Sequence, residues 1–203
     1  MSYLYKFFIL LIILAAGYSI FGIVHFKWMY HDVKNPAAEF QVSGNKNSDI
    51  VFVEFLNYGC GYCKDLHKTM KELQQVRKDI RFVLRPIPFD SEEEKDQTTR
   101  LALAAGLQGK FTEFHEAFLE YPQSIIPDDF VEEISALYGV DYEQLKKDAA
   151  SKKVEKLAGE NFAALEHANL YGVPSFMIDD KIYSITEGDL PDLKQFLTLI
   201  PTK

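Results

Sequence analysis

The chain has 203 residues, of which 47% are hydrophobic and 26% charged, and its formal net charge is −8. That length suits one domain of moderate size that buries its own core. The acidic balance excludes a general nucleic-acid binder, which carries a basic stripe, and no internal repeat or low-complexity tract is visible.

The first 24 residues stand apart. After Lys6, residues 7–24 read FFILLIILAAGYSIFGIV and carry no charge. A run of this length is just enough to cross a bilayer as a helix. A cleaved signal peptide is the alternative, with residues 7–14 as its apolar core and Ala15-Ala16-Gly17 as the cleavage site. The run continues past that site, which favours an uncleaved anchor. Residues 25–48 are expected to form a tether and a first short strand.

Farther on, helical and extended patterns alternate. IVFVEFL (50–56) is a β-branched and aromatic run suited to a buried strand. From Cys60 to about Lys78 the pattern turns helical, with Leu66, Met70, Leu73 and Val76 at spacings of three and four. IRFVLRPIPF (80–89) predicts a second strand, closed by Pro86 and Pro88. Residues 91–171 show no convincing strand. They predict helices over 92–107, 110–119, 128–138, 142–150 and 152–170, with the Glu92-Glu93-Glu94 run as a solvated helix start. SFMID and KIYSI (175–185) predict a hairpin, and a last helix runs over about 190–199. The order calls for an α/β fold, a mixed sheet with a helical insertion.

The whole cysteine inventory lies in NYGCGYCKDLH, residues 57–67. Cys60 falls just past a strand, where a helix begins. Unpaired N–H groups and the helix dipole favour negative charge there, so its thiol is expected to have a lowered pKa and to be the nucleophile. Cys63, one turn on, is within reach to close a disulfide. A Cys-X-X-Cys pair beside a strand–helix unit reads as a redox site. Two other readings stay open. Zinc needs four ligands, and Cys60, Cys63 and His67 supply three. A structural disulfide over so short a loop stabilises weakly.

Two more features bear on redox chemistry. Glu54 interrupts an apolar strand; burial would raise its pKa and let it exchange a proton near Cys63. An outward-facing strand residue is the alternative, and alternation does not decide, because Val53 and Phe55 are both apolar. In YGVPSF (171–176), Pro174 precedes a strand, and the local sequence does not choose between cis and trans.

VEFLNYGCGYCK, followed about 110 residues later by GVPSF, resembles the bacterial DsbA-like branch of the thioredoxin superfamily over roughly residues 38–200. The resemblance implies a thioredoxin-like core (49–90 and 151–203) with an inserted helical domain (91–150), preceded by a transmembrane or signal helix (1–24). It implies Cys60 as exposed nucleophile, Cys63 as resolving cysteine, and Glu54 as the family's buried acid. Val173-Pro174 would be the cis-proline loop that pairs with the substrate backbone, with Gly61 and Tyr62 completing the substrate-facing surface. The implied function is oxidation of dithiols in exported proteins, with a redox disulfide and no metal or other cofactor. A membrane redox partner would reset that disulfide. The implied location is the bacterial inner membrane facing the periplasm, held by residues 7–24, or the soluble periplasm if the leader is cleaved.

The sequence also departs from the pattern. DsbA-type oxidases typically carry Pro-His between the cysteines, whereas Gly61-Tyr62 resembles the pair in DsbC-type isomerases. Val173 before the proline is DsbA-like, and residues 25–48 are too short for the isomerases' dimerisation domain. An oxidase is therefore expected, with an isomerase or reductase as the alternative. A membrane-tethered metal-binding or holdase module is the reading from another class.

Overall fold

The computed structural model describes residues 2–88, 90–91, 94–95, 97–185 and 190–201. Helix α1 spans Ser2–Lys34. Its window Tyr5–Gly22 is long and apolar enough to cross a membrane, and none of it is buried against the protein. The helix continues well past the apolar run, so the first part of the expected tether (25–48) is helical. No glycine or proline interrupts the chain between Gly22 and Pro36, so the first helix breaker lies beyond Lys34.

The end of α1 is built into the domain. Val33 is fully buried. Strand β3 (Arg81–Pro86) supplies two arginines to the helix's last carbonyls. Arg85 is 2% exposed and donates to the carbonyls of Asp32 and Val33, and to Asn161 Oδ1 at 3.1 Å. Arg81 donates to the Lys34 carbonyl at 3.1 Å. Cations are favoured at a helix C-terminus, where unpaired carbonyls accumulate negative charge. Gln41 joins the network through Leu84 O and Asn161 Oδ1.

Strands β1 (Val42–Gly44), β2 (Val51–Leu56), β6 (Ser175–Ile178) and β7 (Lys181–Ser184) complete the main sheet with β3. Its order is β1-β3-β2-β6-β7. The β2–β3 pair is parallel and joined by helix α2 (Gly61–Val76), while β6 and β7 pair antiparallel. All six residues of central β2 are buried, because both faces of the sheet are covered. Val51, Val53 and Phe55 pack toward the end of α1 and helix α7 (Lys152–His167). Phe52 packs on the other face with Leu66 and Met70 of α2 and Phe196 of helix α8 (Leu193–Leu199).

Between β3 and α7 lie helices α3 (Gln97–Leu107), α4 (Phe111–Glu120), α5 (Asp128–Tyr138) and α6 (Tyr142–Ala149). Their inward faces form one apolar cluster with Leu56, Tyr58 and Cys63. The helix expected from Glu92 begins at Gln97. Before it, two short strands pair, β4 (Asp90–Ser91) with β5 (Glu94–Lys95), where no strand was expected. Glu94 is therefore extended rather than helical, and Glu92 and Glu93 lie outside the described residues. The helix expected over 152–170 stops at His167, and Asn169 turns left-handed at φ 54°. The last helix starts at Leu193, later than expected, because Asp192 and Gln195 form a reciprocal capping box.

Candidate active site

Cys60 is the N-cap of α2, with extended backbone angles. Its Sγ accepts the Cys63 backbone N–H at 3.3 Å, one of the donors that a helix start leaves unpaired. The first turn is also closed by the Lys64 N–H donating to the Cys60 carbonyl at 3.2 Å. The two sulfurs are not bonded to each other in this structure, with Cys60 partly exposed and Cys63 buried. Hydrogen bonding from the Cys63 side chain, helped by the N–H groups of Cys63 and Tyr62, lowers the Cys60 pKa to about 7. The Cys63 pKa moves up, because its proton is held toward Cys60 and because the thiol is desolvated.

The preceding loop is fixed by Asn57. Its side chain donates to Ile87 O at 2.8 Å and accepts the Gly59 N–H at 2.7 Å, and its carbonyl accepts the Cys60 N–H at 3.2 Å. Across from Cys60, the Val173–Pro174 peptide is cis. The Val173 carbonyl lies 3.7 Å from Cys60 Sγ. The structure thus brings Val173 and Pro174 to the cysteine pair. Tyr62 projects outward at 61% exposure. A side chain at Gly61 would meet open space, so contacts within the protein do not demand glycine there.

Glu54 is 2% exposed. Phe52 and Leu56, two residues to either side, contact the α2 side of the sheet. Strand alternation therefore aims Glu54 at α2. Its carboxyl is close enough to Cys63 to oppose ionisation of that thiol. Desolvation raises its own pKa to about 7. One oxygen, Oε1, has no protein hydrogen-bond partner. The outward-facing alternative for Glu54 is thereby overturned: the strand has no solvent face here.

His67 packs against another histidine instead of completing a ligand set. Its ring lies 5.7 Å from that of His115 on α4, edge to face. Among the described residues no group of three His, Cys, Asp or Glu side chains converges to hold a metal ion. His115 Nδ1 is 3.2 Å from the Tyr58 hydroxyl. Burial lowers both imidazole pKa values, to about 4 for His67 and about 3 for His115. This Tyr58–His115–His67 cluster escaped the sequence reading. His115 lies 48 residues from His67 in the chain, and local periodicity carries no sign of such a contact.

Residues 51–198 match the model of the DSBA-like thioredoxin domain family. The chain belongs to this family. A relative in Rickettsia bellii, described as a candidate protein-disulfide oxidoreductase, is 30% identical over 148 residues, covering 68% of this chain and 56% of its own length. The Na(+)/H(+) antiporter NhaA 3 of Salinispora tropica is 23% identical over 141 residues, which cover 69% of this chain and 22% of the antiporter. The chain thus spans a fifth to about half the length of these curated relatives. Among solved structures, a thioredoxin-like oxidoreductase from Silicibacter pomeroyi superposes with a TM-score of 0.66 at 27% identity, covering 81% of this chain and 94% of the other. The fold is the mixed α/β thioredoxin type, with additional helices and an apolar N-terminal helix.

Proposed function

We propose that the protein is a membrane-anchored thiol–disulfide oxidoreductase that oxidises dithiols of exported proteins through a Cys60–Cys63 disulfide. The observation that carries this reading is the asymmetry of the two thiols. Cys60 caps a helix, is partly exposed and has its pKa lowered to about 7, whereas Cys63 is buried with its pKa raised. One sulfur is thus suited to attack and leave, the other to resolve.

In the forward cycle, a substrate thiolate attacks Cys60 Sγ of the disulfide. A substrate–Cys60 bond forms, the Cys60–Cys63 bond breaks, and its electron pair goes to Cys63, which takes a proton. The protonated Glu54 carboxyl is the nearby source. A second substrate thiolate then attacks the substrate's own sulfur in the mixed disulfide. Cys60 leaves as a thiolate that the start of α2 stabilises. The substrate loses two electrons and the enzyme gains them. Resetting requires a disulfide- or quinone-bearing oxidant in the membrane. Val173 and Pro174, beside Cys60, are suited to pair with the substrate backbone, and Gly61 and Tyr62 to contact it. The site residues come from α2, β2 and the loop before β6, so we assign 49–90 and 151–203 to the catalytic core and 91–150 to the helical insert.

Disulfide isomerisation or reduction uses the same thiols, and Gly61-Tyr62 favours that second reading. The test is a Cys63→Ser variant expressed in cells. It is expected to accumulate mixed disulfides through Cys60, and in the reduced wild type iodoacetamide should modify Cys60 half-maximally near pH 7 while Cys63 stays protected. Absence of any trapped thiol partner, or faster labelling of Cys63, would reject the assignment.

A further inference from the structure

Resting on the redox reading of Cys60 and Cys63, we propose that Lys64 is a positioning residue for substrate. Its ammonium clamps the 121–126 loop against the first turn of α2 and fixes Ile125 as an apolar contact for the chain flanking a substrate cysteine. Helix α4 ends at Glu120, with Tyr121 as its C-cap, so its last carbonyls have no helical partner. Lys64 Nζ donates to the Tyr121 carbonyl at 2.6 Å and to the Gln123 carbonyl. It also lies 5.9 Å from the centre of the Tyr121 ring. A single cation thus closes a helix end and holds the loop beyond it, from the position directly after Cys63.

The loop is anchored on its other side by apolar contacts. Tyr121 packs on Phe130 of α5 with ring centres 4.5 Å apart, and Ile126 packs on the core. Ile125 between them is 65% exposed. The loop passes close to the cysteines: a Cβ on Gly59, the residue before Cys60, would lie 3.4 Å from the Ser124 carbonyl. Two more large apolar groups stand exposed on segments that meet at Cys60, Tyr62 at 61% and Tyr171 at 88%. Three separate segments that meet near Cys60 therefore each carry an exposed apolar side chain. Only the Ile125 segment belongs to the helical block, and Lys64 ties it to α2. The chemistry that fits is a flexible chain with a large apolar side chain next to its cysteine.

The test uses the full chain in detergent and two synthetic dithiol peptides, one with Phe and one with Ser flanking the cysteines. Lys64→Met is expected to raise KM for the Phe peptide about fivefold, as losing about 1 kcal/mol of contact would. It is expected to leave kcat, the Ser-peptide KM and the Cys60 titration in place. Ile125→Ser should give the same change, and the double variant no further change. Lys64→Arg should restore KM, since a guanidinium also reaches two carbonyls. Additive effects, an unchanged KM, or a shifted Cys60 titration would overturn the proposal. A wild type that oxidises neither peptide would reject the redox reading instead. The clamp is then decided by hydrogen exchange: faster exchange at 123–126 in Lys64→Met supports it, and unchanged exchange overturns it.

Discussion

Replacing Glu54 with Gln should change how stability depends on pH, in a direction opposite to that of an ordinary paired carboxylate. Burial raises the Glu54 pKa from 4.5 to about 7. Below pH 4.5 the carboxyl is protonated in both folded and unfolded chains. As pH rises, the unfolded chain releases its proton first, so the folded state loses stability until pH passes about 7. The difference corresponds to about 3 kcal/mol for a group this buried. Gln carries no charge at any pH and removes that slope. Urea denaturation of the oxidised protein at half-unit steps from pH 4.5 to 8.5 should give a wild-type curve that declines relative to the variant. At pH 8 the variant should be more stable by about 3 kcal/mol, while near pH 4.5 the two should be similar. The gain should come with a kinetic loss, slower formation of the Cys60 mixed disulfide near neutral pH, because Cys63 then leaves without its proton source. Parallel stability curves would refute a buried, neutral Glu54, and unchanged mixed-disulfide formation would refute its proton transfer to Cys63.

Other outcomes follow from the same geometry. The Cys60/Cys63 couple should lie near about −180 mV, less oxidising than DsbA at about −120 mV, because Tyr62 offers no charged donor to the thiolate. Tyr62→His should raise it, and a wild-type value near about −270 mV would reject the oxidase reading. His67 and His115 have folded pKa values near 4 and 3, below the ordinary 6.5. Their contribution is complete above pH 6.5 and is lost as pH falls toward those values. His115→Gln should therefore flatten the acid limb of a stability profile, and an unchanged limb would refute a neutral His115 buried in the folded state. The intact chain should stay with membranes through a high-salt wash, because hydrocarbon burial is insensitive to salt; a soluble mature form beginning near Tyr18 would show cleavage.

The elements legible in the sequence were those set by local rules. Helix α5 runs Asp128–Tyr138 as its pattern indicated, since Gly139 supplies the left-handed stop at φ 71°. Cys60 as the start of a helix was equally legible, because a strand, a turn and a 3.6-residue period meet there. What escaped depends on distant partners. Arg85 reads as a charge inside a strand, and only Asp32, Val33 and Asn161 reveal why it is buried. Lys64 reads as a surface lysine until α4 ends beside it. Glu54 was ambiguous because alternation identifies an inner face only when the other face is wet, and β2 has no wet face.

The arginine cap on α1 has a mechanical consequence. A helix held at its last carbonyls by two strand residues enters the domain without a swivel. From Gly22 to Lys34 the helix rises about 18 Å. Where Tyr5–Gly22 occupies a bilayer, that segment acts as a strut of set length rather than a leash. The sulfur of Cys60 then sweeps a narrow shell above the lipid instead of a hemisphere. Its encounters with anything embedded in the same membrane become a matter of matching height and bearing. Lengthening the strut by one helical turn would lift the site by about 5.4 Å and rotate it by little. Two added residues would turn it toward the opposite side.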